Sequence, residues 1–150
     1  MFDTVVKWLT GAGVPPGAPD SLQLAIVVLL VQAAQMNDDF DASERTVIAR
    51  LLAARFGLTA EDIARLVEAA ERRAEASSGL LPFTRMVVDR LTPPERVQIV
   101  EMLYEVVYAD GRLDPDEDAL VRRIAGLIYV TDFERGVARK QARRTLGLPE

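Results

Sequence analysis

Residues 22–36 are the most apolar stretch of this 150-residue chain, and three glutamines are their only polar side chains. A helix of this length reaches roughly 22 Å, which is short of the ~30 Å hydrocarbon core of a bilayer. We therefore interpret the stretch as a helix that is buried on all sides. Such a helix needs a shell of other elements around it, and the rest of the sequence must supply that shell.

The shell is predicted to be helical, because helix start and stop signals recur along the chain and strand-like alternation is nearly missing. A Gly/Pro-rich connection over residues 10–19 divides the chain into an N-terminal helix with its linker, 1–19, and a helical domain, 20–150. The predicted fold class is all-α, a single-domain bundle of seven to eight helices with short connections. The predicted helices span residues 2–9, 22–36, 42–56, 60–77, 80–91, 93–109, 115–129 and 133 onward.

The predicted N-terminal helix carries Phe2, Val5, Val6 and Leu9 on one side. Trp8 lies at its end, and three interpretations stay open for this side chain. It packs in the core, it covers an apolar groove, or it marks an interface, where tryptophan is enriched.

Composition excludes several classes of function. The chain has no cysteine and no histidine, which rules out disulfides, thiolate or imidazole catalysis, and most zinc and haem sites. A net charge of −5 argues against nucleic-acid binding, which needs a cationic surface. No phosphate-binding glycine motif is present, so we expect a non-enzymatic protein without an organic cofactor. A carboxylate-dependent hydrolase is the catalytic alternative. The first residues lack a signal-peptide core, so we expect a cytoplasmic protein.

An internal repeat appears when the sequence is shifted by 73 residues, which aligns 22–56 with 95–129. Both copies have the same order of features: an apolar helix, an acidic turn, a capping Asp, a Glu three residues later and an amphipathic helix. Apolar positions also coincide, including Phe56 with Tyr129. The repeat predicts two related helical hairpins packed into one core. The identical pairs are Ile26/Ile99, Val27/Val100, Leu30/Leu103, Asp41/Asp114, Glu44/Glu117 and Arg50/Arg123.

The two acidic turns are the candidate functional sites. Their oxygen-rich side chains suit hard cations such as Ca²⁺, Mg²⁺ or Mn²⁺. The alternative is that the turns only cap helices, since an Asp followed three residues later by Glu forms a capping box. Capping does not require Asp38, Asp39, Asp110 or Asp116, so these four carry the functional signal. The candidate ligands are Asp110, Asp114, Asp116 and Glu117 in the second turn, and Asn37, Asp38, Asp39, Asp41 and Glu44 in the first.

The second turn, Tyr108-Ala109-Asp110-Gly111 followed by Asp114 and Glu117, resembles the TerB-like family of helical domains, named after tellurite resistance protein B. The first turn departs from that pattern, because Asn37 replaces the leading Asp and Asp38 replaces Gly. The resemblance covers about residues 20–146. It implies an all-α fold with pseudo-twofold hairpins, an acidic patch, divalent-cation binding and membership in membrane-associated stress-response assemblies.

The final helix is rich in basic side chains, and two interpretations of it stay open. It meets an acidic partner or an anionic membrane surface, or it packs through Phe133, Val137 and Leu146 with its basic residues solvated or paired internally. Tyr104 and Tyr108 lie beside the second turn, and we expect their hydroxyls to reach polar partners. The basic residues are Arg135, Arg139, Lys140, Arg143 and Arg144.

Two hypotheses for function follow. The first is a non-enzymatic, TerB-like domain that binds a divalent cation at its acidic turns and couples binding to a protein–protein interaction. The second is a metal-independent interaction module. Both predict a protein partner, allow a homodimer, and limit membrane contact to peripheral association with the inner membrane through partners.

Overall fold

The computed structural model describes residues 21–37, 42–77 and 79–149, and these residues form seven α-helices without a strand. The all-α prediction is therefore confirmed. The predicted helix over 2–9 and the linker after it lie outside the described residues, as do Asp38, Asp39 and Asp41. The helices are α1 (Ser21–Ala34), α2 (Ala42–Phe56), α3 (Ala60–Ala76), α4 (Leu81–Arg90), α5 (Pro93–Val107), α6 (Pro115–Leu127) and α7 (Asp132–Thr145), and a 3₁₀ turn (Gln35–Asn37) follows α1.

Helix α1 is the centre of the bundle. Residues 26–31 have no measurable exposure to solvent, and α1 packs against α3, α4, α5 and α6. Burying a Leu, Ile or Val side chain stabilises a fold by about 1.5–3 kcal/mol, so this one helix accounts for a large share of the core. The prediction of a buried helix is confirmed for α1, where only Leu24 and Gln32 among the described side chains are half-buried, but the helix ends at Ala34 and Met36 beyond it is 42% exposed.

The two copies of the repeat interlock in the core. Helices α1 and α5 correspond to each other and pack together, while α2 and α6 correspond and lie outside them. Helix α2 packs on α5, and α6 packs on both α1 and α5. The second helix of each copy therefore covers the first helix of the other copy, which makes the burial of either copy depend on both.

The predicted helix boundaries agree with the structure where local chemistry sets them. Gly57 takes a left-handed φ of +66° after α2, and Thr59 then caps α3 by accepting a 3.2 Å hydrogen bond from the backbone N–H of Asp62. The end of α6 differs from the prediction, because the helix stops at Leu127 rather than at Tyr129. Tyr129 adopts a φ of +60° and is 73% exposed, whereas Phe56, its counterpart in the repeat, is buried.

Candidate functional site at the second acidic turn

The second acidic turn joins α5 to α6 through a tight backbone reversal. Gly111 has a φ of +88°, a conformation that favours glycine, and its N–H donates to the carbonyl of Tyr108 at 2.8 Å. The Asp110 carboxylate accepts a hydrogen bond from the N–H of Arg112 at 3.0 Å. Leu148, from the segment after α7, lies 3.9 Å from the position that a Cβ on Gly111 would take. The turn is thus held by local hydrogen bonds and by packing against the C-terminal segment.

Asp114 and Glu117 form the capping box of α6 that their spacing predicts. The Asp114 carboxylate accepts from the N–H of Asp116 at 2.8 Å, and the Glu117 carboxylate accepts from the N–H of Asp114 at 3.2 Å. Glu117 is only 4% exposed. Both carboxylates therefore satisfy backbone donors that would otherwise lack a partner at the start of the helix. In this structure the role of both carboxylates is therefore to cap α6.

Asp110 and Asp116 are the exposed acids of this turn, and neither belongs to the capping box. Within the described residues, no three acidic side chains are grouped closely enough to hold a metal ion. In the first turn, Asp38, Asp39 and Asp41 lie outside the described residues, while Glu44 is buried in the first turn of α2. The structure thus separates the capping acids from the exposed ones, and the candidate ligand set stays a prediction.

Two tyrosines of α5 lie beside this turn and bind arginines of α7. Arg135 Nη1 donates to the Tyr104 hydroxyl at 3.1 Å, and Arg139 Nε donates to the Tyr108 hydroxyl at 2.7 Å. The Arg143 guanidinium lies 5.0 Å from the centre of the Tyr108 ring, within cation–π range. The expectation that both hydroxyls reach polar partners is confirmed. Tyr104 and Tyr108 of α5 and Arg135 and Arg139 of α7 thus form one row of hydrogen-bonded side chains, which we call the polar seam.

The seam extends to α6 through Asp118. The Tyr104 hydroxyl donates to Asp118 Oδ1 at 3.4 Å, and Arg122 makes an ion pair with the same carboxylate at 3.2 Å. Burial raises the pKa of Tyr104 above its ordinary value, Arg135 opposes that rise and Asp118 adds to it. No sequence signal points to Asp118, because its contact with Tyr104 depends on how α6 lies against α5.

A partly buried pair of salt bridges joins the two copies of the repeat on another face of α5. Arg55 of α2 contacts Glu101 at 3.2 Å and Glu105 at 3.3 Å. Burial raises the pKa of Glu105, which Arg55 opposes. No sequence signal points to this triad either, since the two acids lie 46 and 50 residues from Arg55 along the chain.

The N-terminal half of α7 exposes two large apolar side chains, which differs from the predicted packing. Ala138 and Ala142 are buried against α5, while Phe133 is 80% and Val137 50% exposed. The prediction that Phe133 and Val137 anchor this helix is wrong, because the arginines fill that role by reaching the tyrosine hydroxyls. Leu146 does pack against the core, and the predicted internal pairing holds for Arg135 and Arg139. We call the exposed side chains of Phe133 and Val137, together with that of Tyr129 in the connection before α7, the α7 stripe.

Comparison with known proteins identifies the class of domain. The model of the family described as tellurite resistance protein TerB matches residues 23–140, which includes all seven helices in whole or in part. The chain therefore belongs to the TerB family, as the second turn had indicated. No curated protein and no solved structure matches the chain. Among the described helices, none is both long and apolar enough to cross a membrane.

Proposed function

We propose that this TerB-family domain is a non-enzymatic protein-interaction domain that binds its partner through the α7 stripe. The supporting observation is the exposure of three large apolar side chains, Phe133 and Val137 on α7 and Tyr129 in the connection before it. Phe133 and Val137 are four residues apart within α7, so they lie on one side of that helix. Tyr129 belongs to the connection that precedes α7. Burying these side chains against a partner removes apolar surface from water, at about 25 cal/mol per Å².

The chemistry beside the stripe defines the partner. Lys140, one turn beyond Val137, is exposed, and it adds positive charge to the C-terminal end of the stripe. A partner helix with an apolar face and acidic residues at one end fits this arrangement. Family membership supports a partner within a tellurite-resistance or stress-response assembly, which is where TerB-like domains are expected to act.

Affinity capture from the source cells tests the stripe with a matched control. Phe133→Ser removes the most exposed aromatic side chain of the stripe, and Leu81→Ser removes an exposed leucine of α4. We expect the first variant to lose a partner that the wild type and the second variant retain, with capture unchanged by EDTA and weakened by high salt. Equal loss with both variants, or no loss with either, would contradict the proposal.

Cation binding at the second turn is the second candidate function. The observation that favours it is the presence of two exposed carboxylates, Asp110 and Asp116, that the α6 cap does not use. Oxygen ligands of this kind suit Ca²⁺, Mg²⁺ or Mn²⁺. A bound cation would recruit Asp114 or Glu117 only by drawing them from backbone donors, so binding would be coupled to a change in the start of α6.

Thermal unfolding in EDTA and then with each cation separates a cation site from a cap. A specific cation at 100 times its Kd adds about 2.7 kcal/mol to the free energy of unfolding. We expect Asp116→Asn to abolish this gain and Asp132→Asn, at a similarly placed and highly exposed Asp of α7, to keep it. Stabilisation that both variants retain would show that the cation binds elsewhere. No stabilisation of the wild type by any of the cations would show that the turns only cap helices.

A further inference from the structure

An apolar groove of about 510 Å³ runs between α2 and α3. Ala49 and Ala53 line it from α2, Ala64 and Val67 from α3, and Leu58 from the connection between the two helices. Arg45 spans the two walls with a two-pronged ion pair to Glu71, with both N–O distances at 3.0 Å. The groove is therefore a defined space with small side chains on its walls.

The groove is open to water although its lining is apolar. Ala53 and Ala64 are exposed, and Leu58 and Val67 are half-buried. Its volume lies within the range of roughly 300–1,000 Å³ that is typical of ligand clefts, and the alanines leave room for bulky side chains from another segment. Covering it would remove apolar surface from water.

We propose that the chain's own residues 2–9 occupy this groove. The segment carries four apolar side chains that would share one side of the helix predicted from its sequence, and Trp8 lies near its end. The helix α1, to which the segment is joined, packs against α3, and α3 forms one wall of the groove. The occupant is therefore tethered to a neighbour of its binding site.

The length of the connection permits this docking. Eleven residues separate Leu9 from Ser21, and such a connection spans up to about 40 Å when extended. Helix α3 has 17 residues and is about 26 Å long. The extended connection is thus longer than α3, and the tether raises the effective concentration of the segment at the groove. The α7 stripe lies on a helix that packs chiefly on α5, so it is a less direct neighbour of Ser21.

Trp8 is the chain's one tryptophan, so intrinsic tryptophan fluorescence of the full chain reports on this segment alone. Two variants fill the groove from opposite walls, Ala53→Glu and Ala64→Lys. Each new charge lies three residues after an opposite charge on its own helix, Arg50 and Glu61 respectively, which favours folding. Ala119→Lys, at an exposed position on α6 three residues after Asp116, is the matched control. Val137→Glu tests the α7 stripe.

We expect the Trp8 emission of the wild type to be blue-shifted relative to that of the unfolded chain in urea, and poorly quenched by acrylamide. Both groove variants should shift it to the red and increase quenching with unchanged helix content, while Ala119→Lys and Val137→Glu leave it as in the wild type. A solvent-like wild-type spectrum, or no response in either folded groove variant, would overturn the proposal. A response to Val137→Glu would place the segment on the α7 stripe instead. A spectrum that changes on dilution would assign the occupant to a second copy of the chain.

Discussion

Helices α3 and α7 are both rich in charged residues, but they differ in which large side chains they turn toward the core. Helix α3 buries Ile63, Leu66 and Ala70, while its Arg72–Glu68 ion pair is exposed on the outside. Helix α7 buries only two alanines and leaves Phe133 exposed to solvent. Its Arg135 points inward, and the side chain is only 15% exposed.

The surface that each helix meets explains the difference. Helix α3 packs on the apolar α1, which offers nothing to a charged side chain, so the apolar face of α3 turns inward. Helix α7 packs on α5, where the hydroxyls of Tyr104 and Tyr108 accept hydrogen bonds from arginines that share their spacing of four residues. Hydrogen bonds to charged groups contribute about 1.5–3 kcal/mol, enough to offset exposure of a large apolar side chain. An amphipathic helix thus buries the side chains that find packing or hydrogen-bond partners on the neighbouring helix.

The largest expected effect comes from truncating the apolar face of each helix. Leu66→Ala on α3 should lower the free energy of unfolding by about 2–5 kcal/mol, because it leaves a cavity in the core. Phe133→Ala on α7 should change it by only about 0.5 kcal/mol, as for other exposed positions. Urea unfolding of both variants measures the two values. Similar losses would show that the two helices do not differ in the way described.

A smaller effect is expected from the polar seam of α7. Tyr104→Phe keeps the ring but removes the acceptor that Arg135 uses, so a largely buried guanidinium loses a partner. The cost should be about 1–3 kcal/mol in the free energy of unfolding. Tyr108→Phe should cost less, because Arg139 is exposed and water can replace the hydroxyl. If Tyr104→Phe unfolds at the same urea concentration as the wild type, the arginines do not anchor α7.

The smallest expected effect is a decrease in the free energy of unfolding at alkaline pH, which arises at the α7 interface. The pKa of Tyr104 is raised in the folded chain from its ordinary value of 10.0, so the folded state retains the phenolic proton longer than the unfolded state does. The resulting stability is fully present below pH 10.0 and is lost as pH rises through the folded pKa. Urea unfolding from pH 8 upward should show a decline in the wild type that is weaker in Tyr104→Phe. Leu66→Ala, which alters the α3 interface, should decline as the wild type does.

The acidic turns show how far local sequence chemistry extends. The spacing of Asp114 and Glu117 predicts a capping box, and the hydrogen bonds confirm it, because a cap involves only neighbours along the chain. Whether Asp110 and Asp116 also bind a cation depends on side chains that must converge in space. Spacing alone does not determine that convergence.

The repeat shows the same division between local and tertiary information. The sequence predicts α1 and α5 as matching buried helices, and their periodicity and lack of charge are sufficient for that. It also aligns Phe56 with Tyr129, yet the first is buried and the second exposed. The end of α6 at Leu127 and the left-handed Tyr129 that follows redirect the chain into α7, so equivalent positions have different surroundings.

The sequence by itself determined the fold class, the family, the burial of α1 and the ends of helices at Gly57, Thr59 and Asp114. These features depend on periodicity, backbone conformation and hydrogen bonds within a few residues. Only the tertiary structure decided that α7 packs on α5 through two alanines and Arg135, that Asp118 joins the tyrosine seam and that a groove opens between α2 and α3. Each of these depends on which surface lies opposite a side chain, and that surface comes from residues distant along the chain.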